Sequence, residues 1–497
     1  MSVADTATSE SLPAAPPATV DGDSPPGSGT APAPLPAAYL WPVPDARPGR
    51  PHPRGTGPAR AATAHPRTAA PRPAHRPVHR AVPVSATLAA NEIMARKRQA
   101  GEPVLPLAFG EAGLPAHPLL QSALAAATGG NAYGPVAGQP ALREAAAGYW
   151  TRRGLPTTAE AVVSGPGSKS LLFGLLLAIG ADVAVPQPSW VSYAAQATMV
   201  GARPHFVPTP AGEGGICDPA LLARAVAAAR AAGHRIGAVI VTLPDNPTGR
   251  LARPATVRAL AEVAAEHDLI IISDEIYRDL VYEPAPAVAS PVDFAPDRTV
   301  VTTALSKSLA LGGWRVGVAR LPDGPLGAAL RDQLLGIGSE IWSATAGPVQ
   351  EAAALAFREP PELTERITRS RSLHEAVSRA VAGRFHAAGV SVPEPQAAFY
   401  LYPDFAPWRE HLAQRHGVTT GAGLAAHLLD RYGMGVLPGH VFGEDSSALR
   451  MRVATGLLYG QDDEQQEQAL AAPDPVSLPW IDASLRRLDD VLADLAG

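Results

Sequence analysis

The chain has 497 residues, a formal net charge of −5 and 46 % hydrophobic residues. That length exceeds one small core, the apolar content is ample for packed lobes, and the slight acidity speaks against a nucleic-acid partner. Cys217 is the single cysteine, so an internal disulfide is excluded and a reducing, cytoplasmic setting is expected; no apolar run could span a bilayer, and the N-terminus lacks a basic-then-apolar secretion signal.

Residues 1–84 are rich in Pro, Ala, Ser, Gly, Arg and His, as in Pro71-Arg72-Pro73-Ala74-His75-Arg76-Pro77. Proline at that density blocks helix and sheet, and few large apolar side chains are available to bury, so a disordered leader is expected. Its basic part, Arg47 to Arg80, reads as a solvated linker in preference to an anion-binding arm, and its histidines lack metal-ligand spacing.

From Ser85 the periodicity changes. Leu88, Ile93 and Met94 mark a short helix ending near Gly101, and Leu105 to Glu111 reads as extended. A helix is expected over Ala141–Trp150. Strands at Ala161–Val163, Val183–Val185, His205–Val207, Ala238–Leu243, Leu269–Ser273 and Thr299–Thr303 then alternate with helices at Ser168–Ile179, Pro219–Ala232 and Ala255–His267. Asp218 is placed to cap the second of these helices. Such alternation predicts an α/β fold with a mostly parallel sheet covered on both faces. Beyond Gly338, helices at Pro348–Phe357, Pro361–Ala387 and Trp480–Leu495 and strands at Phe399–Tyr402 and Leu449–Ala454 describe an α+β lobe, with an acidic loop at Gln461–Asp474. The expected divisions are the leader 1–84, an arm and part of a small domain 85–130, a large domain 131–337 and a C-terminal small domain 338–497.

Four stretches carry chemistry. Lys307 lies in Thr302-Thr303-Ala304-Leu305-Ser306-Lys307-Ser308, just after an apolar run, with Arg315 eight positions on. A lysine enclosed near other cations becomes an amine nucleophile. Asp274 follows the apolar run Ile270–Ile272 and would stand at the carboxyl edge of the sheet, where ligands of open α/β folds bind. Tyr277 follows three residues later. Asn246 sits in Asn246-Pro247-Thr248-Gly249, a turn after another strand. Gly165-Pro166-Gly167-Ser168-Lys169 joins a strand to a helix, so its amides would face an anion. Together these read as a pyridoxal phosphate site: Lys307 as the Schiff-base amine beside Ser306, Asp274 for the pyridine nitrogen, Asn246 and Tyr277 for the phenolate oxygen, and Gly167, Ser168, Lys169 and Arg315 for the phosphate. Trp190 offers a face to the pyridine ring. Arg450 and Arg452 both suit a bidentate clamp on a substrate carboxylate, and strand periodicity places them on one face.

From Ser85 to Gly497 the order Gly110-Glu111, Tyr133 to Gly138, Gly167 to Lys169, Trp190, Asn246 to Gly249, Asp274, Tyr277, Lys307, Arg315 and Arg452 resembles the class I/II aminotransferases of the fold type I pyridoxal phosphate enzymes. The resemblance implies a large domain with a seven-stranded, mostly parallel sheet flanked by helices. It also implies a smaller α+β domain from both chain ends, and a homodimer with shared active sites. It makes Lys307 Schiff-base residue and proton shuttle and gives Asp274 and Tyr277 catalytic roles. It places Gly110, Trp190, Asn246 and Arg452, in preference to Arg450, at the substrate, and has Tyr133 reach a neighbouring subunit's phosphate.

The family's Gly-Glu-Pro-Asp stretch is Gly110-Glu111-Ala112-Gly113 here. Leu177 stands where many aspartate-type members carry a second lysine. With Trp342, Tyr193 and Leu177 expected around the distal pocket, the donor is expected to be a neutral, apolar or aromatic L-amino acid and the acceptor a 2-oxo acid. The alternative on the same scaffold is C–S lysis, decarboxylation or oxidation of a guanidino amino acid, which the coenzyme residues do not distinguish. A DNA-binding regulator built on such a domain would need an N-terminal helical unit, and the proline-rich leader offers none.

Overall fold

The computed structural model describes residues 85–284 and 288–497; the leader expected at 1–84 lies outside them. Strand β1 (Leu105–Pro106) precedes the main sheet. That sheet is built from β2 (Val162–Gly165), β3 (Asp182–Gln187), β4 (Pro204–Pro208), β5 (Ile236–Thr242), β6 (Ile270–Asp274), β7 (Thr299–Ala304) and β8 (Gly317–Arg320). Its order is β2-β8-β7-β6-β5-β3-β4. The pairs β4/β3, β3/β5, β5/β6 and β6/β7 are parallel, and β8 runs antiparallel between β7 and β2. The expected seven-stranded, mostly parallel sheet is therefore present.

Period-two alternation explains the layering. In β5, Val239 and Val241 join Ala184, Val207 and Ile271 under the helices Pro219–Ala231 and Pro254–Glu266. Ala238 and Ile240 point the other way, to Val183, Val185 and Ile272, where the helices Ser168–Ile179 and Pro325–Ile341 pack. Every residue of β5 is buried, as a central parallel strand covered on both faces requires. At the β2 end, Val162, Val301 and Val318 pack with the helices Pro140–Arg152 and Gly347–Phe357.

A separate apolar core gathers Leu105, Leu107 and Leu114 with residues of the helices Pro361–Ala387, Gly421–Tyr432 and Pro479–Ala496. Short strands β9 (Tyr400–Leu401), β10 (Met434–Gly435), β11 (Leu437–Pro438) and β12 (Met451–Ala454) belong to this region, with β1 pairing to β10 and β12 lying between β11 and β9. None of the described helices is long and apolar enough to cross a membrane.

Several elements depart from the sequence reading. Gln461–Asp474 holds a helix, Asp463–Ala471, whose Asp462 cap accepts from Gln465 N at 2.9 Å. Its polar composition hid a helix that buries only Ala469 and Leu470. The helices Pro118–Ala126, Val191–Met199 and Pro325–Ile341 and the strand β8 were not anticipated. Alanine- and glycine-rich packing leaves little apolar period to read.

Candidate active site

The carboxyl ends of the parallel strands meet along one edge, and the turns and side chains that follow them build the site. β2 ends at Gly165, and the helix Ser168–Ile179 begins three residues on with Gly167 at its N-cap. Gly167 has φ +82°, and a Cβ there would collide with the Arg315 guanidinium. No side chain caps this helix, so its first amides remain available to an anion. Arg315 is held by Nη1 donation to Gly312 O at 2.8 Å and by Nη2 donation to Pro166 O at 3.4 Å.

Asp274 ends β6 and is 3 % exposed. Tyr193 Oη donates to its Oδ2 at 2.9 Å and Thr302 Oγ1 to its Oδ1 at 3.3 Å. Burial pushes this carboxyl up to about 6, against the lowering effect of those two donors and of the Ile276 amide. It pairs with no cation among the described residues, so it is a buried anion with room for a positive partner.

Lys307 lies in the short turn of helix after β7, and its Nζ donates to Gly110 O at 2.5 Å. Burial, and then the charge of Arg452, lower this amine to about 8. Arg452 in β12 is 1 % exposed. Its Nη1 donates to Asn246 Oδ1 at 3.2 Å and its Nη2 to Ala108 O at 2.5 Å, while its Nε is buried with no partner among the described residues. The guanidinium lies 5.2 Å from the ring centroids of both Tyr400 and Phe442. Arg450 instead pairs outside with Asp404 at 3.0 Å and Glu444 at 2.6 Å, which resolves the ambiguity between the two arginines in placement.

These groups share one cavity of about 550 Å³, a size typical of small-molecule sites. Gly110, Ser168, Lys169, Trp190, Asn246, Asp274, Tyr277, Ser306, Lys307, Arg315 and Arg452 all line it. Lys169 Nζ sits 5.0 Å from the Trp190 ring centroid, and burial followed by the charge of Arg315 lowers its pKa. The residues fit pyridoxal phosphate. Lys169, Arg315 and an uncapped helix suit an anionic phosphate, a buried carboxylate without a cation suits a cationic ring, and a depressed lysine suits an aldehyde.

Not every expectation lands in the cavity. Tyr133 is 92 % exposed and lies outside the cavity lining. Leu177 and Trp342 also lie outside it; Trp342 packs on Gly174 and Gly338 between the helices Ser168–Ile179 and Pro325–Ile341. Tyr193 does line the cavity, but its hydroxyl is committed to Asp274 and to Thr242 Oγ1 at 2.8 Å. The sequence reading missed Tyr400, whose hydroxyl lies 2.8 Å from that of Tyr277. It also missed the wall formed by Ser85, Thr87, Leu88, Phe109 and Glu111. Tyr193 was expected at the distal pocket and instead supports Asp274; Tyr400 had no local signal.

A seven-stranded sheet with these groups at its carboxyl edge defines a fold type I pyridoxal phosphate enzyme. The chain belongs to the family aminotransferase class I and II, whose model matches residues 104–469, and it is a pyridoxal phosphate-dependent transaminase. It is 33 % identical over 382 residues to a probable aspartate/prephenate aminotransferase of Thermus aquaticus, covering 75 % of this chain and 92 % of that one. It is 31 % identical over 383 residues to the aspartate aminotransferase of Geobacillus stearothermophilus, with the same coverage of each. The structure of Thermus thermophilus aspartate aminotransferase with maleate superposes with a TM-score of 0.69 at 28 % identity, covering 82 % of this chain and 97 % of that one.

Proposed function

We propose that the enzyme moves the amino group of a neutral, apolar or aromatic L-amino acid to a 2-oxo acid, with Lys307 as the amine that tethers the coenzyme. One observation carries this reading: Lys307, the unpaired Asp274 and the open Nε of Arg452 belong to one cavity. Bound pyridoxal phosphate supplies an aldehyde that captures amines and a cationic ring that withdraws the electron pair left when the substrate Cα–H bond breaks. Asp274 keeps the ring nitrogen protonated. Arg452 and Asn246 grip the substrate carboxylate, which fixes the Cα within reach of Lys307. Lys307 Nζ, as a free amine, would take the Cα proton and hold it for return; burial and the Arg452 charge favour the neutral amine that this needs. Ser168, Lys169, Ser306, Arg315 and the Gly167 turn hold the phosphate, Trp190 flanks the ring, and Tyr277 with Asn246 faces the phenolate oxygen.

Leu88 and Phe109 in the cavity wall support an apolar donor. A second reading, an acidic donor, is favoured by the names of the relatives and by the Lys169 ammonium in the cavity. Coenzyme-loaded enzyme mixed with single amino acids, without acceptor, decides between them. Phenylalanine or leucine should convert the visible absorbance to that of the pyridoxamine form faster than aspartate; conversion by aspartate alone overturns the donor assignment. Release of carbon dioxide, thiol or peroxide in place of that conversion would favour lysis, decarboxylation or oxidation instead. Lys307→Ala should abolish turnover.

The same reading proposes a cytoplasmic homodimer, with Tyr133 reaching the partner's phosphate. Its support is a fully displayed tyrosine on a turn anchored by Gln350, whose Oε1 accepts from Gln139 N at 2.6 Å. It also proposes lobes at 131–337 and 338–497 with an arm at 85–130, supported by Leu105, Leu107 and Leu114 packing among C-terminal residues.

A further inference from the structure

We propose that Tyr400 is a positioning residue that sets the direction of the Tyr277 hydroxyl proton, aiming it into the cavity. The inference rests on the reading of Tyr277 as a donor to the coenzyme's phenolate oxygen. Tyr400 opens β9 and is 1 % exposed. Its hydroxyl lies 2.8 Å from that of Tyr277 and has no other hydrogen-bond partner among the described residues. A buried hydroxyl keeps its proton bonded, and a phenol has only one proton to give. Both phenols are buried and both line the cavity, so either could donate across this contact; the Arg452 guanidinium beside the Tyr400 ring is what assigns the donation to Tyr400 and the acceptance to Tyr277.

The other polar neighbour of Tyr277 Oη is Asn246 Nδ2, at 3.5 Å, and it too is a donor. Both contacts approach the oxygen with hydrogen, so the Tyr277 proton has no protein acceptor among the described residues and points where Tyr277 lines the cavity. The charges around the pair agree with this direction. Arg452 stands 5.2 Å from the Tyr400 ring centroid, and the more acidic of two touching phenols is the better donor. Burial raises both phenols, Tyr277 to well above the usual value, while Arg452 is the main force drawing Tyr400 back. Asp274 on β6 opposes ionisation of Tyr277, and Lys307 lies across the same cavity. Gly110 reinforces the arrangement: a Cβ there would strike the Tyr400 hydroxyl, and its carbonyl is the acceptor of Lys307 Nζ. Tyr400 thus touches the Tyr277 phenol and packs against the turn that seats the lysine.

The test is a pH titration of the visible band of the coenzyme-loaded enzyme. A donor to the phenolate oxygen favours the deprotonated chromophore, so losing it raises the midpoint. Tyr400→Phe keeps the ring beside Arg452 and removes the hydroxyl. Its midpoint should rise by about half a unit to one unit, with kcat reduced several-fold and KM for the amino acid within about twofold of the parent. Tyr277→Phe should raise the midpoint further. The double variant should match Tyr277→Phe alone, because the effect of Tyr400 passes through Tyr277. Replacing Tyr400 by 3-fluorotyrosine strengthens the donor without emptying the space, and should move the midpoint down. If Tyr400→Phe loses thermal stability but keeps the parent midpoint while Tyr277→Phe shifts it, this inference falls and the Tyr277 reading stands. If Tyr277→Phe leaves the midpoint unmoved, the Tyr277 reading itself falls and takes the inference with it. Additive shifts in the double variant, or no response to fluorination, also overturn it.

Discussion

Asp274→Asn should stabilise the coenzyme-free protein while disabling the enzyme. The carboxyl has an ordinary value of 3.8 and is raised by burial to about 6 in the fold. Below pH 3.8 it is protonated in both folded and unfolded chains and contributes no difference. Between the two values the unfolded chain gives up its proton and the folded chain does not, so stability falls as pH rises. Above about 6 the penalty is constant. Two pH units at 1.36 kcal/mol each give about 3 kcal/mol. Asparagine escapes this penalty but turns one N–H toward Tyr193 or Thr302, which donate to the carboxylate; a lost hydrogen bond returns about 1 kcal/mol. The variant should therefore gain roughly 2 kcal/mol at pH 7.5 and sit level with or slightly below the parent at pH 4, with the gap opening between. Thermal or urea unfolding of coenzyme-free protein across that range measures it. Coenzyme affinity should move oppositely, weakening in the variant because the cationic ring loses its anion. A variant less stable than the parent at pH 7.5, or a pH-independent gap, would refute the reasoning.

Arg452→Lys should raise KM for the amino acid roughly 10- to 100-fold, the loss of a bidentate charged contact, with coenzyme affinity unchanged. Arg450→Ala should leave KM near the parent value, since Arg450 is engaged by Asp404 and Glu444 outside the cavity; steady-state kinetics on both separates the two arginines. In coenzyme-free protein, labelling of Lys307 by an amine-reactive probe should be half-maximal near pH 8, because the lysine is lowered and its neutral form predominates above that value. A midpoint near the usual 10.5 would contradict the burial seen here. Gly167→Ala should weaken coenzyme binding about 10- to 100-fold, through the strain of a left-handed φ and displacement of Arg315.

What could be read from sequence depended on how locally each feature is encoded. Asp274 ends an apolar strand and Asn246 and Lys307 follow theirs within five residues, so recognising the strand located the side chain at the sheet edge. Gly167 declared itself because a strand-to-helix turn with glycine has few uses. Arg450 and Arg452 could not be separated by period-two spacing; only the start of β12 at Met451, with Arg450 bridging to Asp404 before it, puts one inside and one outside. Tyr400 is remote in sequence from Tyr277, and nothing near it signals that their hydroxyls meet. The guess that Leu177 and Trp342 line the distal pocket failed because a helix not foreseen, Pro325–Ile341, packs on Ser168–Ile179 and carries Trp342 away with it.

The site's charges show why the coenzyme belongs to the architecture and not only to the chemistry. Empty, the cavity holds a buried carboxylate without a cation and gathers Lys169, Lys307, Arg315 and Arg452 with few anions to offset them. Both Asp274 and Lys307 are displaced toward neutrality, the direction that unrelieved burial imposes. A ligand that is cationic at its ring and anionic at its phosphate offsets both imbalances together. Its binding energy therefore adds to folding stability by mass action. Coenzyme should then protect the residues at the sheet's carboxyl edge more than the core of residues 373–495, and hydrogen exchange with and without it should show protection concentrated at the Gly167, Asn246 and Lys307 turns. Uniform protection across both regions would mean that the cavity's charges are balanced by something other than the coenzyme.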